Sequence, residues 1–193
     1  MSQGDDVKAG AERVKLTYED FLLFPDDGQR HELIDGEHFV TPCPNTRHQA
    51  ISGNLHWIMR GYLEARPGGR IFYAPFDIVF SFFDVVEPDL LYISLERAQV
   101  LTDKNVRGAP DLVIEILSES TRKVDETIKR RLYDRFEVAE YWIVDPELET
   151  VKVYRRVGDA LRRVGEHSLE TGDEFMTPLF PDLILRLAEI FKD

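Results

Sequence analysis

A single cysteine, Cys43, stands in a chain of 193 residues. No disulfide can close within the chain and no cysteine-rich zinc module can be built from it, which points to a reducing, cytoplasmic setting. Positive charge is also scarce. Lys and Arg number 24 against 36 Asp and Glu, a formal net charge of −12, so no overall field draws the protein to nucleic acid or to an anionic membrane. Long apolar runs are missing: the longest, 76–83 and 112–117, both hold an acidic residue and fall far short of the roughly 20 residues that cross a bilayer. The opening residues are acidic where a signal peptide would be basic, and residues 1–15 read as a disordered tail. No Gly-rich phosphate loop, HExxH or GxSxG is found.

What remains is a globular composition, 43% hydrophobic and 31% charged, with no repeat or linker to divide it, so residues 16–193 are expected to form one domain. TYEDFLLFP predicts a helix of about two turns, stopped by Pro25. In RHELIDGEHFV, Asp35-Gly36 between two strand-like pieces signals a hairpin. From Thr46 to about Ala65, apolar residues recur at three- and four-residue steps as in a long helix. Strand-like pieces follow in IFYAPFDIVFSFF, DLLYIS and DLVIEIL, then a second helix over about Lys123 to Glu137 with Val124, Ile128, Leu132 and Phe136 as its apolar stripe. YWIVD, TVKVYRRV and a piece around Leu161 to Val164 read as further strands, and PDLILRLAEIF as a closing strand and short helix. Strands in a run, a crossover helix and another strand make an α/β architecture, a mixed sheet flanked by helices.

Carboxylates stand where such strands should be apolar, and burying an unpaired charge costs several kcal/mol. Glu115 is the lone charge between Leu112 and Leu117, Asp89 opens LLYI, and Asp77 sits inside PFDIVF. If Asp89 and Glu115 converge from neighbouring strands, their hard oxygens suit Mg²⁺ or Mn²⁺; the plainer alternative is that each pairs with an Arg or Lys. Asp125, Lys129 and Tyr133 lie four apart beside the apolar stripe, so Lys129 could lean over the carboxylates or form only a surface ion pair with Asp125. His48, one turn into the long helix, is a base, a substrate contact or a plain polar residue. Cys43 has no mechanism attached to it. Residues 122–135 hold six basic against three acidic side chains, and 152–163 five against one, islands that could track phosphates or merely be solvated faces.

Together TYEDFLLFPDDGQRHELIDGE, NTRHQ, PFDIVF, EPDLLYIS, GAPDLVIEILSEST, Asp125 with Lys129, VAEYWIVDPE and SLETGDEFMTPLFPDLIL resemble the Uma-two family of candidate restriction endonucleases, a branch of the PD-(D/E)XK nuclease fold. The resemblance runs from Leu16 onward. It implies a restriction-endonuclease-like α/β fold and Mg²⁺-dependent (or Mn²⁺-dependent) hydrolysis of DNA phosphodiesters. Asp89 and Glu115 would be metal ligands with the Ile116 carbonyl beside them, Glu32 an auxiliary acidic ligand and His48 an auxiliary catalytic residue. Leu117 stands where the family motif has its lysine, and Lys129 is the substitute the resemblance offers. A homodimer is expected, since cutting two strands asks for two sites. The competing expectation is a nuclease-fold module that no longer cuts and serves dimerisation or nucleic-acid binding; phosphohydrolysis of a small substrate is a more distant one.

Overall fold

The structure, a computed structural model, describes residues 14–193. Residues 1–13 of the expected tail lie outside the described residues, whereas Lys15 already pairs with Asp35 at 2.5 Å. The first helix, α1 (Tyr18–Phe21), is shorter than its sequence suggests. Thr17 caps it by a reciprocal bond with Asp20, but Leu22 and Leu23 are exposed, so no apolar face holds a second turn against the protein. The hairpin is as expected: β1 (Arg30–Ile34) and β2 (Glu37–Thr41) pair antiparallel, and Asp35 and Gly36 both take positive φ, 53° and 75°, the turn that matches strand twist.

After α2 (Thr46–Ala65) come β3 (Gly69–Tyr73), β4 (Ile78–Ser81), β5 (Asp84–Val86) and β6 (Leu90–Ser94). The polar segment that follows holds only one 3₁₀ turn and the two-residue β7 (Val106–Arg107). The chain goes on with β8 (Leu112–Ile116), a π-helical turn (Val124–Lys129) running into α3 (Arg130–Arg135), and β9 (Glu140–Asp145). It closes with β10 (Thr150–Val157), β11 (Ala160–Ser168), β12 (Glu174–Phe175), β13 (Leu185–Arg186) and α4 (Leu187–Ile190). No helix among the described residues is long and apolar enough to cross a membrane.

Two main sheets result rather than one, beside the small two-stranded sheet of β12 and β13. The larger runs β11-β10-β9-β8-β6-β3, with β8 and β9 parallel and the other pairs antiparallel; the smaller runs β2-β1-β5-β4-β7. The continuous look of 71–83 hides the break, because β3 belongs to one sheet and β4 to the other. Strand alternation then sorts the core. Leu112, Ile114 and Ile116 of β8 face α2 through its Ile51, Leu55, Met59 and Leu63. Val113 and Leu117 face the opposite way, onto Leu132, Tyr133 and the smaller sheet, and Glu115 shares their face.

The crossover from β8 to β9 is fixed at its start by Arg122, whose guanidinium forks onto Asp145 at the end of β9 with contacts of 2.5 and 3.1 Å. Burial alone would raise the Asp145 pKa, but the bonds from Arg122 and from the Leu148 and Glu147 N–H groups outweigh it and hold it below 3.8. A carboxyl whose folded pKa is depressed stabilises above its unfolded pKa and loses that contribution as the pH falls through the folded value. Asp145→Asn should therefore cost about 1–3 kcal/mol at neutral pH and little in strong acid, read from urea unfolding at both. An equal loss at the two pH values would assign the effect to packing instead.

Candidate active site

Five elements meet in one cleft of about 580 Å³, whose lining includes Arg30, His48, Asp89, Glu115, Asp125 and Lys129. Asp89 enters it at the start of β6. Its Oδ1 takes Arg30 Nη1 at 2.6 Å, and its Oδ2 takes the Ile116 N–H at 2.7 Å and lies 3.1 Å from His48 Nε2. Ile116 thus meets Asp89 through its N–H, while the resemblance put its carbonyl to use. His48 is set by the local fold, since Asn45 caps α2 by accepting the His48 N–H at 2.9 Å. Burial works against the Asp89 carboxylate, yet His48 and Arg30 together keep its pKa below 3.8.

The second centre is Lys129, about 4% exposed. Its Nζ lies 2.8 Å from Glu32 Oε1, 3.0 Å from Glu115 Oε1 and 3.6 Å from Asp125 Oδ1. Tyr133 donates to the same Glu115 oxygen at 2.6 Å. Desolvation disfavours the ammonium, but Glu115, Glu32 and Asp125 raise its pKa well above 10.5, so Lys129 stays charged. Glu115 is pushed well above 4.5 by burial first and by Asp125, Asp89 and Glu32 next, against the pull of Lys129. Asp125 rises to about 6 for the same first reason.

The line Asp125, Lys129, Tyr133 does more than border the sheet: all three are buried, whereas Val124 is only half-buried and Ile128 is 36% exposed. The expected apolar stripe is therefore turned partly outward, and the surface-pair alternative for Lys129 is excluded. Six residues in a π-helical turn shift the register that a 3.6-residue period assumes, a device common where function needs an unusual side-chain direction.

Glu32 is 2% exposed and is not part of the cleft wall; its Oε1 accepts the Glu87 N–H at 2.8 Å and faces Lys129. Asp77 also lies off the wall, its pKa raised to about 6 by burial and by Glu32. Cys43 reaches the rim and donates its thiol to the Gly28 carbonyl at 3.1 Å. Leu117 is packed in the core. The basic islands are largely tied down: Arg122 to Asp145, Arg135 to Asp84, Lys152 to Glu126, Arg155 to Glu140 and Arg163 to Glu166.

The sequence pointed to no role for Arg30, and to Tyr133 only as a member of the line with Asp125 and Lys129. Arg30 is two residues before Glu32 and so on the same strand face, and Tyr133 continues the Asp125–Lys129 line; both signals lie in the sequence, but neither residue type stands out on a strand or helix. Carboxylates outnumber cations in this cleft, with Glu87, Asp89, Glu115, Glu119 and Asp125 on its wall against Arg30 and Lys129. Asp125 Oδ1 is buried without a hydrogen-bond partner. Hard oxygens in excess over positive charge fit a divalent cation. Among the described residues no three His, Cys, Asp or Glu side chains form a ready cage, so the fit is to an open site that water and substrate complete.

Lys129→Met should lower stability by about 3–5 kcal/mol, the usual result of stranding buried partners of an ion pair. The carboxyls left crowded together take up protons more readily than exposed ones, so the variant's urea midpoint should recover as the pH is lowered from mildly alkaline to mildly acid. A deficit independent of pH would contradict the charge argument.

The arrangement can be set beside known proteins. A crystal structure titled as that of a "putative nuclease" from Anabaena variabilis superposes with a TM-score of 0.76, at 22% identity, over 91% of this chain and 97% of that one; at that identity it speaks for the fold alone. No curated protein matches the chain. The model of the Uma2 family, described as "Putative restriction endonuclease", matches residues 18–188. The chain belongs to the Uma2 family.

Proposed function

We propose that the cleft is the active site of a metal-dependent endonuclease that hydrolyses phosphodiester bonds of DNA, and that Asp89 and Glu115 hold Mg²⁺ or Mn²⁺ there. The observation that carries this reading is a fully buried, charged lysine against Glu115 at the floor of an acid-rich cleft, a costly arrangement that packing alone does not require. When bound, the divalent cation neutralises the scissile phosphate and acidifies nearby water.

The chain's own groups do the remainder. Arg30, His48 and the Ile116 N–H hold Asp89 in one orientation as an ionised carboxylate. Tyr133 and Lys129 both occupy Glu115 Oε1, which turns the other oxygen to a ligand. Lys129 supplies positive charge where phosphoryl oxygens gather negative charge in the transition state, standing in for the lysine that Leu117 replaces. In this reading Glu32 holds Lys129, rather than serving as a ligand itself, and His48 is a positioning residue. Severing both strands of a duplex at one place asks for two clefts, so the working unit is a homodimer in the cytoplasm.

The test is supercoiled plasmid incubated with Mg²⁺ or Mn²⁺ beside Glu115→Gln and Lys129→Ala. The unmodified protein should nick and linearise the plasmid, and each variant should lose about 100-fold or more, the scale of one preorganised electrostatic group. Nicking equal to that of the variants in both metals would refute the endonuclease and leave the non-cutting module for dimerisation or nucleic-acid binding, which Leu117 at the motif-lysine position favours.

A further inference from the structure

The larger sheet ends on two edges of different character. β11 carries a register break against β10 between Val153 and Tyr154, a bulge of the kind that guards an edge. β3, at the other end, has none: it pairs with β6 in unbroken register over five residues, lies between Pro67 and Pro75 without holding either, and bears one charge, Arg70.

Which backbone groups this edge presents follows from its ladder. The Ala74 N–H donates to the Asp89 carbonyl at 3.0 Å and the Leu95 N–H to the Gly68 carbonyl at 3.0 Å. Antiparallel pairing alternates, so Arg70 and Phe72 bond to β6, while Gly69, Ile71 and Tyr73 turn their N–H and C=O outward. Among the described residues no backbone partner outside the ladder reaches these groups.

We infer that β3 is a homodimer interface, in which two copies pair antiparallel about a two-fold axis at Ile71 and join their larger sheets edge to edge. A second copy is the occupant because the strand is its own complement. With the axis at Ile71, all the outward groups are used: Ile71 exchanges bonds with Ile71 of the second copy, and Gly69 with Tyr73 of the second copy, twice over. Tyr73, 59% exposed on a strand edge, then lies across Gly69 of the second copy, which offers no side chain against it; aromatic over glycine is a favourable edge pair. On the other face Arg70 stands opposite Phe72 of the second copy. The Arg70 guanidinium already sits 4.9 Å from the Phe72 ring of its own chain, and that ring also stacks on Phe76 with centroids 4.7 Å apart, so in the dimer Arg70 meets the exposed rim of Phe72 of the second copy. Shifting the axis by one residue along the strand leaves outward groups unmatched and sets Tyr73 against no glycine.

This gives a surface to the homodimer of the proposed endonuclease, but it stands on the sheet edge alone, and its test reads association and not cleavage. Sedimentation equilibrium across a concentration series should show a monomer–dimer system. Tyr73→Lys, at an exposed position where lysine guards an edge, should raise the dissociation constant at least about tenfold with an unchanged circular dichroism spectrum. Register is read by disulfide trapping in a Cys43→Ser background. Residues 70 and 72 of the two copies form a pair without hydrogen bonds, with Cα atoms about 4.5 Å apart, within disulfide reach. Arg70→Cys with Phe72→Cys should therefore give a covalent dimer on oxidation. Arg70→Cys alone should not, because the two copies of residue 70 are offset by two residues, about 8 Å at 3.4 Å per residue and one strand spacing. A monomer at every concentration overturns the inference, and so does a dimer that Tyr73→Lys leaves intact.

Discussion

Lys129 carries its charge into the interior, and the three carboxylates that hold it there come from three parts of the fold. Glu32 belongs to the smaller sheet, Glu115 to the larger, and Asp125 to the crossover between β8 and β9. The ammonium thus fixes the angle at which the two sheets and the crossover meet. Isolating such a charge from water costs several kcal/mol, and the surrounding apolar packing of Val113, Leu117, Leu132 and Val138 must supply the difference. Asp89 depends on the same junction, because Arg30, which holds it, shares a strand with Glu32.

Much of this was legible beforehand. The hairpin at Asp35-Gly36, α2, β8 and β9 follow from local rules whose physics is local too: positive φ, helical periodicity, apolar alternation. Glu115 announced itself because an acid in LVIEIL contradicts its surroundings. The crossover did not, because periodicity assumes that apolar residues face inward and that the helix turns every 3.6 residues. Here three carboxylates and a tyrosine outbid Ile128 for the buried side, and the π turn moves the register. No local pattern could reveal that, since two of the carboxylates lie 14 and 97 residues away.

Net charge misled in a related way. A sum of −12 treats all charges as if they faced solvent, yet Glu32, Asp89, Glu115 and Asp125 are all buried. Most of the basic islands, equally, is spent on neighbours within the chain. What reaches solvent at the cleft is set by which charges are left uncompensated, and there the balance is acidic, a surface that takes a polyanion only with cations at hand.

The parallel pairing of β8 with β9 has a consequence for how the protein acquires its site. Parallel neighbours cannot be joined by a tight turn; the chain must leave the sheet and return through a crossover. That crossover is the segment bearing Asp125, Lys129 and Tyr133. Closing the middle of the sheet and sealing the lysine are therefore one event, which waits on contacts between residues as distant as Glu32 and Lys129, and distant contacts form slowly. A nascent or clipped chain that ends before β9 has the acids but no means of keeping their counter-charge in place, so competence arrives late and all at once.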